Sequence, residues 1–220
     1  MSPLRGSVTN EAEAISERRL LRRSFGTPRN DAIQYMRIIG GEFKRRKIFF
    51  PKTKMTRPMT DRAKETIFNV LGTLCESATV LDLFAGSGSL GLEALSRGAL
   101  EVYFVDEAQA SQNCIKKNLE TLMIFPEKTN LIANSATEAV KKLEKKGKTF
   151  GLIFLDPPHN KGLIKKVLHQ LDRSVIVAPF GHVVVGHSNQ EGLPTQFETL
   201  CFYRSIKIGQ TFMSFLTKKV

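Results

Sequence analysis

Residues Thr79–Gly91 read TVLDLFAGSGSLG, an apolar run that ends in an acid and then in a glycine-rich turn. The run has the composition of a buried strand. Gly86, Gly88 and Gly91 satisfy the GxGxxG spacing where a helix should begin. The first glycine permits the tight turn, the second permits close approach of backbone to a ligand, and the third permits close packing of helix on strand. The pattern suits a nicotinamide dinucleotide, whose pyrophosphate needs a helix N-terminus, and equally S-adenosylmethionine, which has no phosphate. Asp82 separates the two. A carboxylate just ahead of the glycines can hold a cationic amine or order the loop, whereas beside a pyrophosphate it would repel.

Outward from this turn the chain alternates. EVYFVD (101–106) leads to the helical ASQNCIKKNLETLM, TNLIAN (129–134) to TEAVKKLEKKG, and TFGLIFLD (149–156) to a helix over Leu163–Leu171. Repeated βα units of this length predict an α/β protein, doubly wound, with a mostly parallel sheet and helices on both faces. After His182 the segments GHVVVGHS, TLCFYRSIKI and TFMSFLTK leave little room for helices, so the sheet should close with an antiparallel hairpin. Upstream, Arg37–Phe50 (RIIGGEFKRRKIFF) predicts a short β-ribbon carrying Lys44, Arg45, Arg46 and Lys47. A helix should follow over Thr60–Leu74, capped by Thr60 or Asp61, with Ala63, Ile67, Val70, Leu71 and Leu74 on one face. The domain reading is therefore a flexible extension over residues 1–35, poor in apolar residues, a basic ribbon over 36–60, and an α/β domain over 61–220.

The chain has 220 residues and a net charge of +12, with a pI near 9.8. That excess favours a polyanionic partner, with a membrane surface as the weaker option. Cys75, Cys114 and Cys201 are scattered and show no CxxC spacing, which points to a reducing compartment and no zinc site. No run approaches a membrane span in length, so the expectation is a soluble cytoplasmic protein, acting as a monomer.

Asp106 ends the second strand, twenty residues after Gly86, where an acid can accept hydrogen bonds from both ribose hydroxyls. Asp156-Pro157-Pro158-His159 ends the fourth. In a doubly wound sheet the first and fourth strands lie side by side, and ligands sit beyond their carboxyl ends. Two prolines remove two amide donors and leave carbonyl oxygens free to accept, and Asp156 adds a further acceptor. The set suits an exocyclic amine on a base. Hydrogen bonds to the Asp156 carboxylate and the Pro157 carbonyl favour a more nucleophilic nitrogen, and His159 offers a flat face for a flipped base. Methyl transfer from a sulfonium needs no metal, because the leaving group is already activated.

These residues resemble a known family. DLFAGSGSLGLEALSRGA, the DPPH turn, RIIGGEFKRRK and RPMTDRAKETIFNVL together are similar to the bacterial RsmD-type methyltransferases, which act on guanine N2 of small-subunit (16S) ribosomal RNA. The resemblance covers Arg37 to about Thr217. It implies a seven-stranded Rossmann-like methyltransferase sheet whose last strand is antiparallel. It implies S-adenosylmethionine contacts at Asp82, along Phe84, Ala85, Gly86, Ser87 and Gly88, at Asp106 and Glu107, and at Asn134, Ser135 and Ala136. Asp156 and Pro157 would hold the target amine, with Pro158 and His159 completing the turn. Lys44–Lys47, Arg57 and Thr60 would lie on the RNA or active-site face, and the substrate would be a 30S particle or an assembly intermediate. Three departures stand out. His159 occupies a position that is usually Phe or Tyr, NSA replaces the usual adenine-reading turn, and GHVVVGHS lacks a common acid, with His187 nearby instead.

The turn itself accepts an adenine N6 amine, in RNA or DNA, as readily as guanine N2, and only the resemblance chooses. A nicotinamide-dependent oxidoreductase is disfavoured by Asp82. A noncatalytic RNA-binding assembly factor would be expected to show erosion of Asp82, Asp106 or DPP, and all three are intact.

Overall fold

The computed structural model describes residues 35–51, 59–158 and 162–219, so Arg57, His159 and all of the expected extension except Tyr35 lie outside them. The chain order is β1 (Tyr35–Arg37), β2 (Lys47–Phe49), α1 (Asp61–Leu71), β3 (Thr79–Asp82), α2 (Ser89–Ser96), β4 (Glu101–Val105), α3 (Gln109–Leu122), β5 (Thr129–Ile132), α4 (Ala136–Lys145), β6 (Phe150–Leu155), α5 (Leu163–Asp172), β7 (Val177–Ser188), β8 (Leu200–Ile208) and β9 (Thr211–Lys218). β1 and β2 form a separate antiparallel pair. The rest form a seven-stranded sheet in the order β5-β4-β3-β6-β7-β9-β8. β3 to β7 pair in parallel, and β9 runs antiparallel to both its neighbours, so the expected sheet with its antiparallel last strand is borne out.

Period-two alternation builds the two faces. In β4, Val102 and Phe104 enter the core that holds Ile67 and Phe68 of α1, Leu92 of α2 and Ile115 of α3. Tyr103 and Val105 enter the opposite core, with Val140 of α4 and Val167 of α5. With helices on both sides, the parallel strands are apolar throughout. The chain passes from β3 through β4 to β5, then crosses back so that β6 pairs with β3 on its other side, Asp82 standing opposite Phe154. That reversal opens a crevice above the carboxyl ends of β3 and β6.

Two expectations need correction. The helix capped by Thr60 stops at Leu71, because Gly72 takes φ 53° and its N–H bonds the Phe68 carbonyl. Leu74 therefore lies beyond the helix and is 40% exposed. Val70 is half-buried, and Phe68 and the aliphatic stem of Lys64 fill the face in its place. Among the described residues of the ribbon, strand pairing covers Tyr35–Arg37 and Lys47–Phe49, and residues 38–46, closed by Ile38 N–H on the Arg46 carbonyl at 3.0 Å, form a loop that drops onto the end of α2. There Glu42 N–H donates to the Ser96 carbonyl at 2.7 Å and Phe43 N–H to the Ser96 hydroxyl at 2.9 Å. Gly41, at φ 72°, allows the approach, since a Cβ would collide with the Ser96 carbonyl.

A buried ion pair fastens this loop. Lys64 and Glu93 have no exposed surface and lie 3.8 Å apart. Glu93 also accepts from Ile39 N–H at 2.9 Å, Gly40 N–H at 2.8 Å and Arg97 Nε at 3.0 Å, while Lys64 Nζ donates to the Arg37 carbonyl. Burial lowers the Lys64 pKa and Glu93 raises it in opposition. Removing one partner of such a pair costs roughly 3–5 kcal/mol, because the other charge is left buried alone. No helix among the described residues is long and apolar enough to cross a membrane.

Candidate active site

The glycine turn leaves β3 and folds back over the strand ends. Gly86 has φ 55° and Gly88 φ 78°, both in the left-handed region. Leu83 N–H bonds the Phe154 carbonyl at 3.0 Å and Ala85 N–H bonds the Val105 carbonyl at 3.0 Å, so the turn is held by β6 and β4 together. At Gly91 a Cβ would collide with Phe104, which is the close helix–sheet packing expected of the third glycine. Gly88 differs from expectation. A Cβ there would point at Phe104 and Ile115, both 3.3 Å away in the core, and Gly88 is absent from the cavity wall.

The cavity above the strand ends holds about 700 Å³, within the usual range for a small-molecule site. Asp82, Phe84, Ala85, Gly86 and Ser87 line it, joined by Asp106 and Glu107, by Asn134, Ser135 and Ala136, and by Asp156 and Pro158. Pro157, the residue before Pro158, is buried and is not in the wall. The structure thus brings the clusters at the ends of β3, β4, β5 and β6 to one place.

Asp106 organises the loop. Its Oδ2 accepts from Gly86 N–H at 2.8 Å and its Oδ1 from Ala108 N–H at 2.9 Å, while its carbonyl accepts from the Gln112 amide at 3.0 Å. Each carboxylate oxygen keeps a second lone pair for hydroxyl donors. Asp82 is 1% exposed. Its Oδ2 accepts from Gly91 N–H at 3.1 Å, and its Oδ1 has no partner. Burial pushes its pKa up to about 7, the Gly91 N–H opposes this, and the charges of Asp156 and Asp106 add to it. Ser89 Oγ, at the first residue of α2, is likewise buried without a partner and lines the cavity. An unsatisfied buried carboxylate oxygen costs free energy that a ligand donor would recover. An acceptor and a hydroxyl at one pole therefore fit an ammonium and a carboxylate.

Asp156 is set by the neighbouring strand. A Cβ on Gly186 of β7 would collide with the Asp156 carboxylate, so glycine at 186 makes the room that carboxylate occupies. His187 follows, its Nε2 2.8 Å from Ser214 Oγ and its ring stacked on Phe212 at 5.6 Å. After β5, Ser135 caps α4, its hydroxyl accepting from Glu138 N–H at 3.4 Å, and Asn134 Oδ1 accepts from Ser135 N–H at 3.0 Å.

Sequence reasoning missed one whole wall. Met36, Phe50, Pro51 and Met59 reach the cavity from the N-terminal segment, and Leu163 and Lys166 from α5. Only the GxGxxG and DPP motifs announce themselves locally, whereas the N-terminal wall depends on long-range packing. Lys44, Arg45, Arg46 and Lys47 are exposed, but the turn carrying the first three sits at the carboxyl ends of α2 and α3, where Arg46 donates to the Thr121 carbonyl at 2.8 Å. α2 starts at the cavity and ends at Ser96, so the turn stands roughly 10 Å or more from the cavity, at a rise of about 1.5 Å per helical residue. Thr60 is the N-cap of α1, accepting from Ala63 N–H at 3.2 Å, next to Met59 of the wall.

A parallel sheet with this strand order, a glycine turn after β3, an acid after β4 and an Asp-Pro-Pro turn after β6 define a class I methyltransferase, the group that takes its methyl from S-adenosylmethionine. The chain belongs to the family described as conserved hypothetical protein 95, which matches residues 36–217, and to the RsmD-type methyltransferases that its motifs resemble. It is 35% identical over 183 residues to ribosomal RNA small subunit methyltransferase D of Escherichia coli K12, covering 83% of this chain and 90% of the relative. YlbH of Bacillus subtilis is 35% identical over 184 residues, 84% of this chain and 100% of that protein. The solved structure of yhhF from Escherichia coli superposes with a TM-score of 0.73 at 30% identity, covering 84% of this chain and 99% of that one.

Proposed function

We propose that the chain transfers a methyl group from S-adenosylmethionine to the exocyclic N2 amine of a guanine in small-subunit ribosomal RNA. The observation that carries this reading is the placement of Asp156 and Pro158 on the wall of the cavity framed by the glycine turn and Asp106. The choice of ribosomal RNA is supported by the Escherichia coli relative, whose name specifies the small ribosomal subunit. The choice of guanine N2 is supported by the resemblance to the RsmD-type methyltransferases, of which the RPMTDRAKETIFN segment is the most specific part.

When bound, the cofactor supplies a sulfonium-activated methyl. Asp82 Oδ1 and the Ser89 hydroxyl hold its amino-acid end, and Asp106 accepts from its ribose. Asn134, Ser135 and Ala136 border its adenine. Asp156 and the Pro157 carbonyl accept the two hydrogens of the target amine and turn its lone pair toward the methyl. Transfer would exchange the sulfur–carbon bond for a nitrogen–carbon bond, and Asp156 or solvent would take the nitrogen's surplus proton. His159 stacks on the base. Residues 36–60 face the RNA, with Lys44–Lys47 and Arg57 on its phosphates and Thr60 at the mouth of the cavity, while residues 61–220 form the catalytic domain.

The variant Asp156→Ala is expected to bind S-adenosylhomocysteine within about tenfold of the wild type by calorimetry. Its methyl transfer should fall by about 10²-fold or more. Equal loss of binding and transfer would contradict the role given to Asp156.

A further inference from the structure

Asn118, in the third turn of α3, has no exposed surface, and both of its amide hydrogens and its amide oxygen are engaged. Its Oδ1 accepts from Phe49 N–H at 2.7 Å, and its Nδ2 donates to the Phe49 carbonyl at 3.0 Å and to the Ser87 carbonyl at 2.9 Å. Two carbonyl acceptors and one N–H donor fix which way the amide faces. The bonds to Phe49 mimic a missing neighbour strand along the free edge of β2. The bond to Ser87 reaches the middle of the glycine turn. A second thread runs beside it, since the Ser87 hydroxyl meets Met36 Sδ at 3.8 Å, and Met36 pairs with Ile48 across β1 and β2. Immediately after Phe49 come Phe50 and Pro51, which form the N-terminal wall of the cavity.

We propose that Asn118 is a positioning residue that locks the glycine turn to β2, so that filling the cofactor site also fixes the Phe50–Pro51 wall facing the substrate. This rests on the cavity being the cofactor site. A side chain that only closed the edge of β2 would need the two Phe49 bonds and nothing else. The third bond makes the Ser87 peptide and the Phe49 peptide move as one unit, because displacing either leaves a buried amide hydrogen without an acceptor. Cofactor order in the turn is thereby transmitted to a segment that enters the sheet domain through no strand pairing of its own.

Amide hydrogen exchange read by mass spectrometry tests the coupling, with S-adenosylhomocysteine as the probe. In the wild type, saturating probe should slow exchange over residues 47–50 by about threefold or more. In Asn118→Ala the probe should still bind, weakened by about tenfold, and at saturation should no longer slow those residues, although Phe50 still borders the cavity. Asn118→Asp, which keeps the shape but turns an acceptor toward the Ser87 and Phe49 carbonyls, should behave likewise and serves if the alanine variant does not fold. Slowing that persists in a folded, saturated variant overturns the proposal, as does a wild type that binds the probe with no change over residues 47–50. A wild type that fails to bind the probe at all removes the cofactor reading first, and this inference with it.

Discussion

Asp82 shows how one residue can be legible in type and hidden in state. Its place before the glycines marks it as a carboxylate at the strand end, but the sequence does not show that one oxygen is taken by Gly91 N–H while the other is buried alone. With a pKa pushed up to about 7 by burial, Asp82 changes protonation state near neutral pH rather than in the ordinary carboxylate range. A raised carboxyl pKa contributes stability that is fully present below its unfolded value near about 4 and is lost as pH rises through the folded value. A ligand ammonium acts in the opposite sense, because it pairs only with the ionised form. Affinity for S-adenosylhomocysteine should therefore rise by about tenfold between about pH 6 and pH 8, as Asp82 goes from mostly protonated to mostly ionised. In Asp82→Asn the affinity should be lower and flat across that range. A wild type whose affinity is also flat would separate Asp82 from the ammonium. Ser89 escaped the sequence reading because a serine opening a helix is ordinary, and only its buried, partnerless hydroxyl sets it apart.

At the scale of elements, the strands and helices of the sheet domain were legible because each follows from local periodicity: period two within β4, helical spacing within α4 and α5. The ends and attachments were not. The bonds of Asn118 span 69 and 31 residues, and Glu93 reaches 54 and 53 residues back to the ribbon loop, distances over which no local pattern operates. The same holds for β6 and β7. Asp156 was read correctly as a strand-end acid, yet the glycine that makes room for its carboxylate lies thirty positions on, in a strand that reads locally as an apolar run. Gly186→Ala should displace that carboxylate and lower methyl transfer by about 10²-fold, since a misplacement near 1 Å at a reacting group has that effect. Binding of S-adenosylhomocysteine should change little, because Gly186 is absent from the cavity wall. Transfer at the wild-type rate would show that Asp156 is not constrained as described.

Over the whole molecule, the net charge of +12 was legible as a preference for a polyanion, but its distribution was not. The basic turn at Lys44–Arg46 stands at the far end of α2 and α3, and Arg46 completes the carboxyl end of α3 by bonding the Thr121 carbonyl. The reaction itself gives the most direct test. Radiolabelled methyl from S-adenosylmethionine, presented with purified small ribosomal particles that lack this modification, should appear in N2-methylguanosine after nucleoside analysis. Label in N6-methyladenosine, or no label from a protein that binds the cofactor, would contradict the assignment.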